Sequence, residues 1–175
     1  YKIGKILLKP KTDMIFPMQQ HVGAPCKPIV AVGDRVLAGQ KIGEPAGYVG
    51  APIHSSVSGT VKDICPHLSA NGLIVESIII TNDGLQELSE TVVPKKHYSE
   101  YSKEEKLDII KEAGIVGLGG AGFPTHVKLN VPEGKVVDTV IVNGAECEPY
   151  LTTDYRVMLE ETEEIIYGLQ VILSI

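Results

Sequence analysis

The chain has 175 residues, long enough for one sizeable core or two small ones, and its 43% hydrophobic and 22% charged content excludes a disordered polypeptide. A formal net charge of −6 excludes broad electrostatic contact with nucleic acid, which needs clustered Lys and Arg against phosphates. No run approaches the roughly 20 uncharged apolar residues that span a bilayer, and no basic, apolar, small-residue leader opens the chain, so membrane contact is expected only through partners, without direct insertion.

In chain order, residues 22–80 alternate short Val- and Ile-rich stretches with Gly, Pro, Asp and Ser breaks. That rhythm predicts closely spaced short strands in a small flattened barrel. Residues 82–100 are polar, contain Pro94 followed by Lys95 and Lys96, and show no period, which makes them the linker candidate. The division this predicts is a β module over 1–90, a linker over 91–101 and a second unit over 102–175. Ser102 and Glu105 match a capping box, so a helix is expected from about Lys103, with Leu107, Ile109 and Ile110 on its buried side and Gly114 ending it.

A glycine-rich loop follows, then Val136 to Asn143 reads as a strand buried on both faces. From about Thr153 to the end, apolar residues recur at helical spacing, predicting one long final helix. The second half thus has the character of the opening of an α/β domain. The chain begins at Tyr1 rather than Met and stops at Ile175 inside an apolar periodic run, the pattern expected of a fragment. Cys26, Cys65 and Cys147 form no CxxC pair, so no zinc or iron–sulfur motif is visible and a reducing compartment is the simpler reading.

The sharpest chemical feature is Gly117-Leu118-Gly119-Gly120-Ala121-Gly122-Phe123-Pro124-Thr125, where four glycines within six positions strip Cβ atoms from the backbone. Such a loop lets a phosphate or a flat ring approach the amides. A tight connection between packed elements would use the same residues. Gly117, Gly119 and Gly122 satisfy GxGxxG, yet a capped helix precedes the loop, so the dinucleotide fold is rejected. The phosphate loop of NTPases is rejected too, since no Gly-Lys-Ser/Thr ending is present. Asn143 carries two donors and an acceptor suited to the edge of an isoalloxazine or nicotinamide, and Glu146 and Glu148 can accept from ribose hydroxyls. The two loops are expected to share one crevice at the strand's carboxyl end, although a plain turn with solvated glutamates fits the same residues.

The segments GLGGAGFPTHVKL at 117–129 and VNGAECEPYLTTDYRVM at 142–158 resemble the RnfC family, a component of Rnf electron-transport complexes. They are also similar to the flavin-bearing, NADH-oxidising subunit of respiratory complex I. The resemblance implies that Gly117, Gly119, Gly120, Lys128 and Asn143 surround FMN, and that Phe123 and Glu148 contact NADH. Two departures stand out: the family's Asp after the Asn is Ala145, and its Ser is Cys147. Cys147 is read as a small buried residue and His126 as loop surface rather than a catalytic base.

The stretches VGDRVLAGQKIGE and APIHSSVSGTVKDI resemble a lipoyl or biotinyl type barrel-sandwich hybrid, but residues 45–50 at the expected tip contain no Lys to acylate. The module is therefore read as structural, with docking of another subunit its expected role. The fold class implied is α+β and multi-domain: an all-β barrel-sandwich hybrid followed by the start of an α/β FMN-binding domain.

The function implied is NADH oxidation through FMN, with electrons passed to iron–sulfur clusters lying downstream of this chain. Ferredoxin would be at the other end of an ion-translocating, membrane-associated complex, peripheral on the cytoplasmic face through partner subunits. No protein side chain is assigned as a catalytic base, and no metal ligand is assigned. A non-catalytic docking or carrier module is the alternative, and a nucleotide-dependent transferase a weaker one.

Overall fold

The computed structural model describes residues 12–118 and 120–175; Gly119 and the first eleven residues of the β module lie outside the described residues. Seven strands build the β half: β1 Asp13–Pro17, β2 Cys26–Pro28, β3 Arg35–Val36, β4 Lys41–Pro45, β5 Ile53–His54, β6 Gly59–Leu68 and β7 Ile74–Asn82. They form two antiparallel sheets, one in the order β1-β7-β6-β3 and one in the order β2-β4-β5. Between them lies one apolar core of Phe16, Met18, Cys26, Val36, Ile42, Ile53, Val57, Val61, Ile78 and Ile80.

Close packing, not only turn chemistry, selects Gly in this half. A Cβ on Gly59 would stand 2.1 Å from the Thr81 carbonyl oxygen across the β6–β7 ladder. Pro66 can sit inside β6 because β3 pairs only with residues 59 and 60, which leaves the far part of β6 as an edge. β1 lies outside the expected strand region: its five residues offer one buried side chain, Phe16, and its place is set by pairing with β7 rather than by a strong pattern of its own.

Much of the expected 82–100 linker is bound to the barrel. Asp83 accepts from Ser58 and pairs with Arg35, which also pairs with Glu87. Ala38 donates its N–H to the Glu87 carbonyl, and Ser89 returns one to Ala38. After a 3₁₀ turn at Tyr98–Glu100, α1 runs over Lys103–Glu112 with the expected capping box: Glu105 N–H donates to Ser102 Oγ at 3.2 Å and Ser102 N–H to Glu105 Oε2 at 2.7 Å. At its other end Gly114 is left-handed, with φ +69°, and donates to the Lys111 carbonyl while Ile115 donates to that of Ile110. These two bonds form a Schellman ending. A Cβ on Gly114 would meet the Pro52 carbonyl oxygen at 2.6 Å, so the cap is also where α1 abuts β5.

The barrel tip at residues 45–50 is seated within the chain itself. Tyr48 lies edge-on to His126, ring centroids 6.4 Å apart, and its hydroxyl accepts from Asn130 Nδ2 at 2.9 Å. His126 and Asn130 belong to α2, Thr125–Leu129, and its C-cap. His126 is accordingly buried rather than on the loop surface, because the Tyr48 ring and α1 cover it. Lys41 adds ion pairs with Glu44 and Glu112, joining β4 to α1.

Two expectations for the last forty residues are corrected. Residues 136–143 form no strand, and Val136 and Ile141 are 91% and 87% exposed. A β-branched apolar run becomes a strand only where a neighbour takes its N–H and C=O groups, and among the described residues no strand lies alongside it. The single final helix is two, α3 Thr153–Glu160 and α4 Thr162–Leu173, broken where Glu161 leaves helical geometry at φ −125°, ψ 37°. The buried Lys106 of α1 donates to the Ser174 carbonyl at 3.0 Å, and Tyr167 of α4 packs on His97 and Tyr98.

Replacing Ser102 by Ala should cost about 1 kcal/mol in urea unfolding, the usual value of such a cap. Burial, aided by Lys111, holds His126 below its ordinary value of 6.5. Burial and Lys41 do the same for His54, against Glu112. Both are neutral in the folded and unfolded chain above that value, and below it the unfolded chain takes the protons first. Stability should therefore fall as pH drops from 7.5 to 5.5, and the fall should be shallower in His126→Asn; an equal slope in the variant would contradict this role of His126.

Candidate functional site

The glycine loop is a closed excursion pinned at its neck. Gly117 N–H donates to the Phe123 carbonyl at 3.0 Å, Thr125 N–H donates to the Ile115 carbonyl at 3.0 Å, and Val116 bridges Pro124 in antiparallel fashion. Sequence order alone puts α1 before the loop and α2 after it, so the neck joins two helices rather than a strand and a helix. Above it, Leu118 is 95% exposed, and a Cβ on Gly120 would meet nothing within 4 Å.

The loop faces an open cleft of about 1120 Å³. Gly117, Leu118 and Gly120 to Gly122 make one wall; Met14 to Pro17 of β1, the Gln19–Gly23 loop and the β6–β7 tip at residues 69–71 make the other. This volume slightly exceeds the ~300–1,000 Å³ usual for small-molecule sites. A bare glycine wall with room before it fits a flat ring such as a flavin: a Cβ on Gly117 would make only ordinary contacts, 3.8 Å or more, and one on Gly120 none. Gly122 serves differently. It is buried and left-handed, with φ +66°, and a Cβ there would crowd the Gln20 carbonyl oxygen at 3.1 Å and His21 Cα at 3.2 Å.

The remaining residues singled out from sequence lie elsewhere. Phe123 is half-buried at the neck, and Lys128 is exposed on α2. Asn143, Glu146 and Glu148 belong to a separate turn, and none of the three lines the cleft before the glycine loop, so the expected shared crevice is not formed between the described residues. Asn143 instead accepts from Ala145 N–H at 3.0 Å, closing its own turn. Glu146 accepts from Tyr155 N–H at 2.9 Å, supplying the start of α3 with the acceptor that Thr152 does not provide. Gly144 packs against Met158, where a Cβ would stand 2.8 Å from the sulfur.

Cys147 is exposed, contrary to the small-buried-residue expectation, because this turn rests on α3 by its glycine side and turns the thiol outward. Residues that sequence reasoning missed are those of the barrel wall, Gln19 to Gly23 and Asn71. The polar doublet Gln19-Gln20 between apolar Met18 and buried His21 was the available signal, but nothing local ties it to a loop a hundred positions later.

Comparison with known proteins follows this division. Residues 3–85 match the RnfC barrel sandwich hybrid domain, and residues 110–175 match the Nuo51 FMN-binding domain. The C subunit of the Na(+)-translocating ferredoxin:NAD(+) oxidoreductase complex of Acetobacterium woodii is 46% identical over 157 residues, which are 90% of this chain and 35% of that protein. The C subunit of the proton-translocating ferredoxin:NAD(+) oxidoreductase complex of Clostridium ljungdahlii is 46% identical over 171 residues, 97% of this chain and 37% of that protein. The C subunit of the ion-translocating oxidoreductase complex of Pseudomonas aeruginosa is 42% identical over 163 residues, 92% of this chain and 21% of that protein. The chain thus spans between about a fifth and two-fifths of the length of these relatives.

The thiols should separate by reactivity. Burial, reinforced by Glu44, pushes the Cys26 thiol up to about 11, and its Sγ donates to the Ala51 carbonyl at 3.2 Å. Only a thiolate attacks an alkylating agent. At pH 8, iodoacetamide should label the exposed Cys147 readily and Cys26 only after unfolding, as read by peptide mass spectrometry; rapid labelling of Cys26 in the folded protein would contradict this environment.

Proposed function

Because this chain belongs to the RnfC family, we propose that it supplies the barrel and the flavin-facing loop of a subunit that oxidises NADH through FMN in an ion-translocating ferredoxin:NAD(+) oxidoreductase complex. The observation that carries this reading is the wall of Gly117, Leu118 and Gly120 to Gly122 fronting an open cleft, within the region that matches an FMN-binding domain. The proposed division is a barrel-sandwich module over 1–90, a linker over 91–101 and the first part of the flavin domain over 102–175.

FMN, when bound, would take a hydride from NADH and release the two electrons one at a time. The chain's own part is binding and orientation. Gly117, Gly119 and Gly120 would offer main-chain amides to the ring, and Gly122 would close the loop against the barrel. Lys128 would offer its charge to the phosphate. Phe123 would give an aromatic face to nicotinamide or adenine, and Asn143, Glu146 and Glu148 would meet cofactor or nucleotide from their separate turn. Three separated cysteines cannot ligate a four-cysteine cluster, so the iron–sulfur centres that accept the electrons would be held by the C-terminal part of the subunit, downstream of these residues. Ferredoxin and the remaining subunits complete the proposed chain. No helix among the described residues is long and apolar enough to cross a membrane, which suits a peripheral place on the cytoplasmic face through partner subunits.

The carrier alternative draws no support from the tip at residues 45–50, which has no lysine and is seated on α2 rather than free to swing.

Gly120→Val tests the reading cleanly, since the space around Gly120 leaves folding untouched while the new side chain enters the cleft. Full-length protein should bind FMN and show its flavin bleached by NADH. The variant should keep its melting temperature and lose FMN affinity at least about tenfold, the scale of 1.4 kcal/mol. A folded full-length protein that neither binds FMN nor is reduced by NADH would overturn the proposal.

A further inference from the structure

The glycine loop is held from the barrel side as well as at its neck. Val22 N–H donates to the Gly122 carbonyl at 3.3 Å, and at Gly122, left-handed with φ +66°, a Cβ would sit tightly against Gln20 and His21. The conformation that presents this N–H is fixed by the buried side chain of His21. Its Nε2 accepts from Ala51 N–H at 3.2 Å, which puts the ring proton on Nδ1, where it is donated to the Val22 carbonyl at 3.0 Å. Cys26 Sγ stands 3.5 Å from the same Nε2 and donates to the Ala51 carbonyl. One imidazole therefore connects the barrel core, through Ala51, to the peptide that touches the last glycine of the loop.

We propose that His21 is a positioning residue for the glycine loop, clipping it to the barrel through Val22 and Gly122 so that the barrel module becomes the fixed second wall of the ligand cleft. The clip's consequence for cofactor rests on the flavin reading above; the clip itself does not. It gives the barrel module a role inside the chain: the β half sets the width of the cleft into which the β1–β2 loop and the β6–β7 tip look.

Amide hydrogen exchange on the full-length protein tests this. In His21→Ala, exchange across residues 115–123 should rise about fivefold, the scale of one lost neutral hydrogen bond, while β6 and β7 keep their protection. His21→Gln, whose side-chain oxygen can take the Ala51 N–H, should return the loop to within about twofold of wild type. FMN affinity, followed by flavin fluorescence, should weaken in the Ala variant and recover in the Gln variant. Loop exchange unchanged in His21→Ala, with the Ala51 amide deprotected, would overturn the clip. Should both substitutions unfold the barrel, Gly122→Ala leaves its core intact: loss of Val22 amide protection supports the clip and unchanged protection overturns it. A wild type that binds no FMN but loosens its loop on losing His21 sinks the flavin reading alone; one that binds FMN with a loop indifferent to His21 sinks the clip alone.

Discussion

Two crossings of the chain, Gly117 N–H on the Phe123 carbonyl and Thr125 N–H on that of Ile115, determine what the glycine loop is. Without them, a loop this rich in glycine would be held only by Val22 at its far end, and ordering it would be costly, since glycine loses more conformational freedom on ordering than any other residue. With them, the excursion has fixed ends. The Schellman ending at Gly114 delivers Ile115 to the neck, and α2 leaves it directly from Pro124. Helix, neck and loop are thus one construction, and the cleft depends on it.

The barrel gives that construction a base. Its core is small, and beyond the cleft wall it supplies, it holds the construction through three contacts: α1 against Pro52 at Gly114, the 45–50 tip against α2, and the His21 loop against Gly122. In a lipoyl-type module the tip must be free to visit other sites. Here Tyr48 has a hydroxyl partner in Asn130 and an aromatic neighbour in His126, so the same topology is used as a wedge.

Local rules are legible where local chemistry decides the outcome. Ser102 and Glu105 satisfy each other across three positions, Gly114 ends α1 through its own left-handed φ, and the strand rhythm of residues 22–80 reports a core whose two sheets are close in sequence. Reading fails where a distant partner decides. β1 exists because β7 pairs with it, His126 is buried because Tyr48 reaches it across more than seventy positions, and Glu146 is committed to α3 because Thr152 supplies no cap. The glycine wall itself is visible from sequence, but its opposite face is not, since no motif in Gln19 to Gly23 announces a neighbour near residue 120. Residues 136–143 show the converse, a strong strand pattern with no neighbouring strand among the described residues to receive it.

That unpaired stretch carries a liability for handling the chain by itself. Val136, Val137, Ile141 and Val142 are all solvent-facing, β-branched and close together, and among the described residues their main-chain donors and acceptors join no ladder. A segment of this kind is a template on which a like segment of another molecule can grow, in the manner of cross-β stacking. Concentrated solutions of this 175-residue chain should therefore self-associate along that stretch, and a charged side chain in place of Ile141 is the simplest gatekeeper against it.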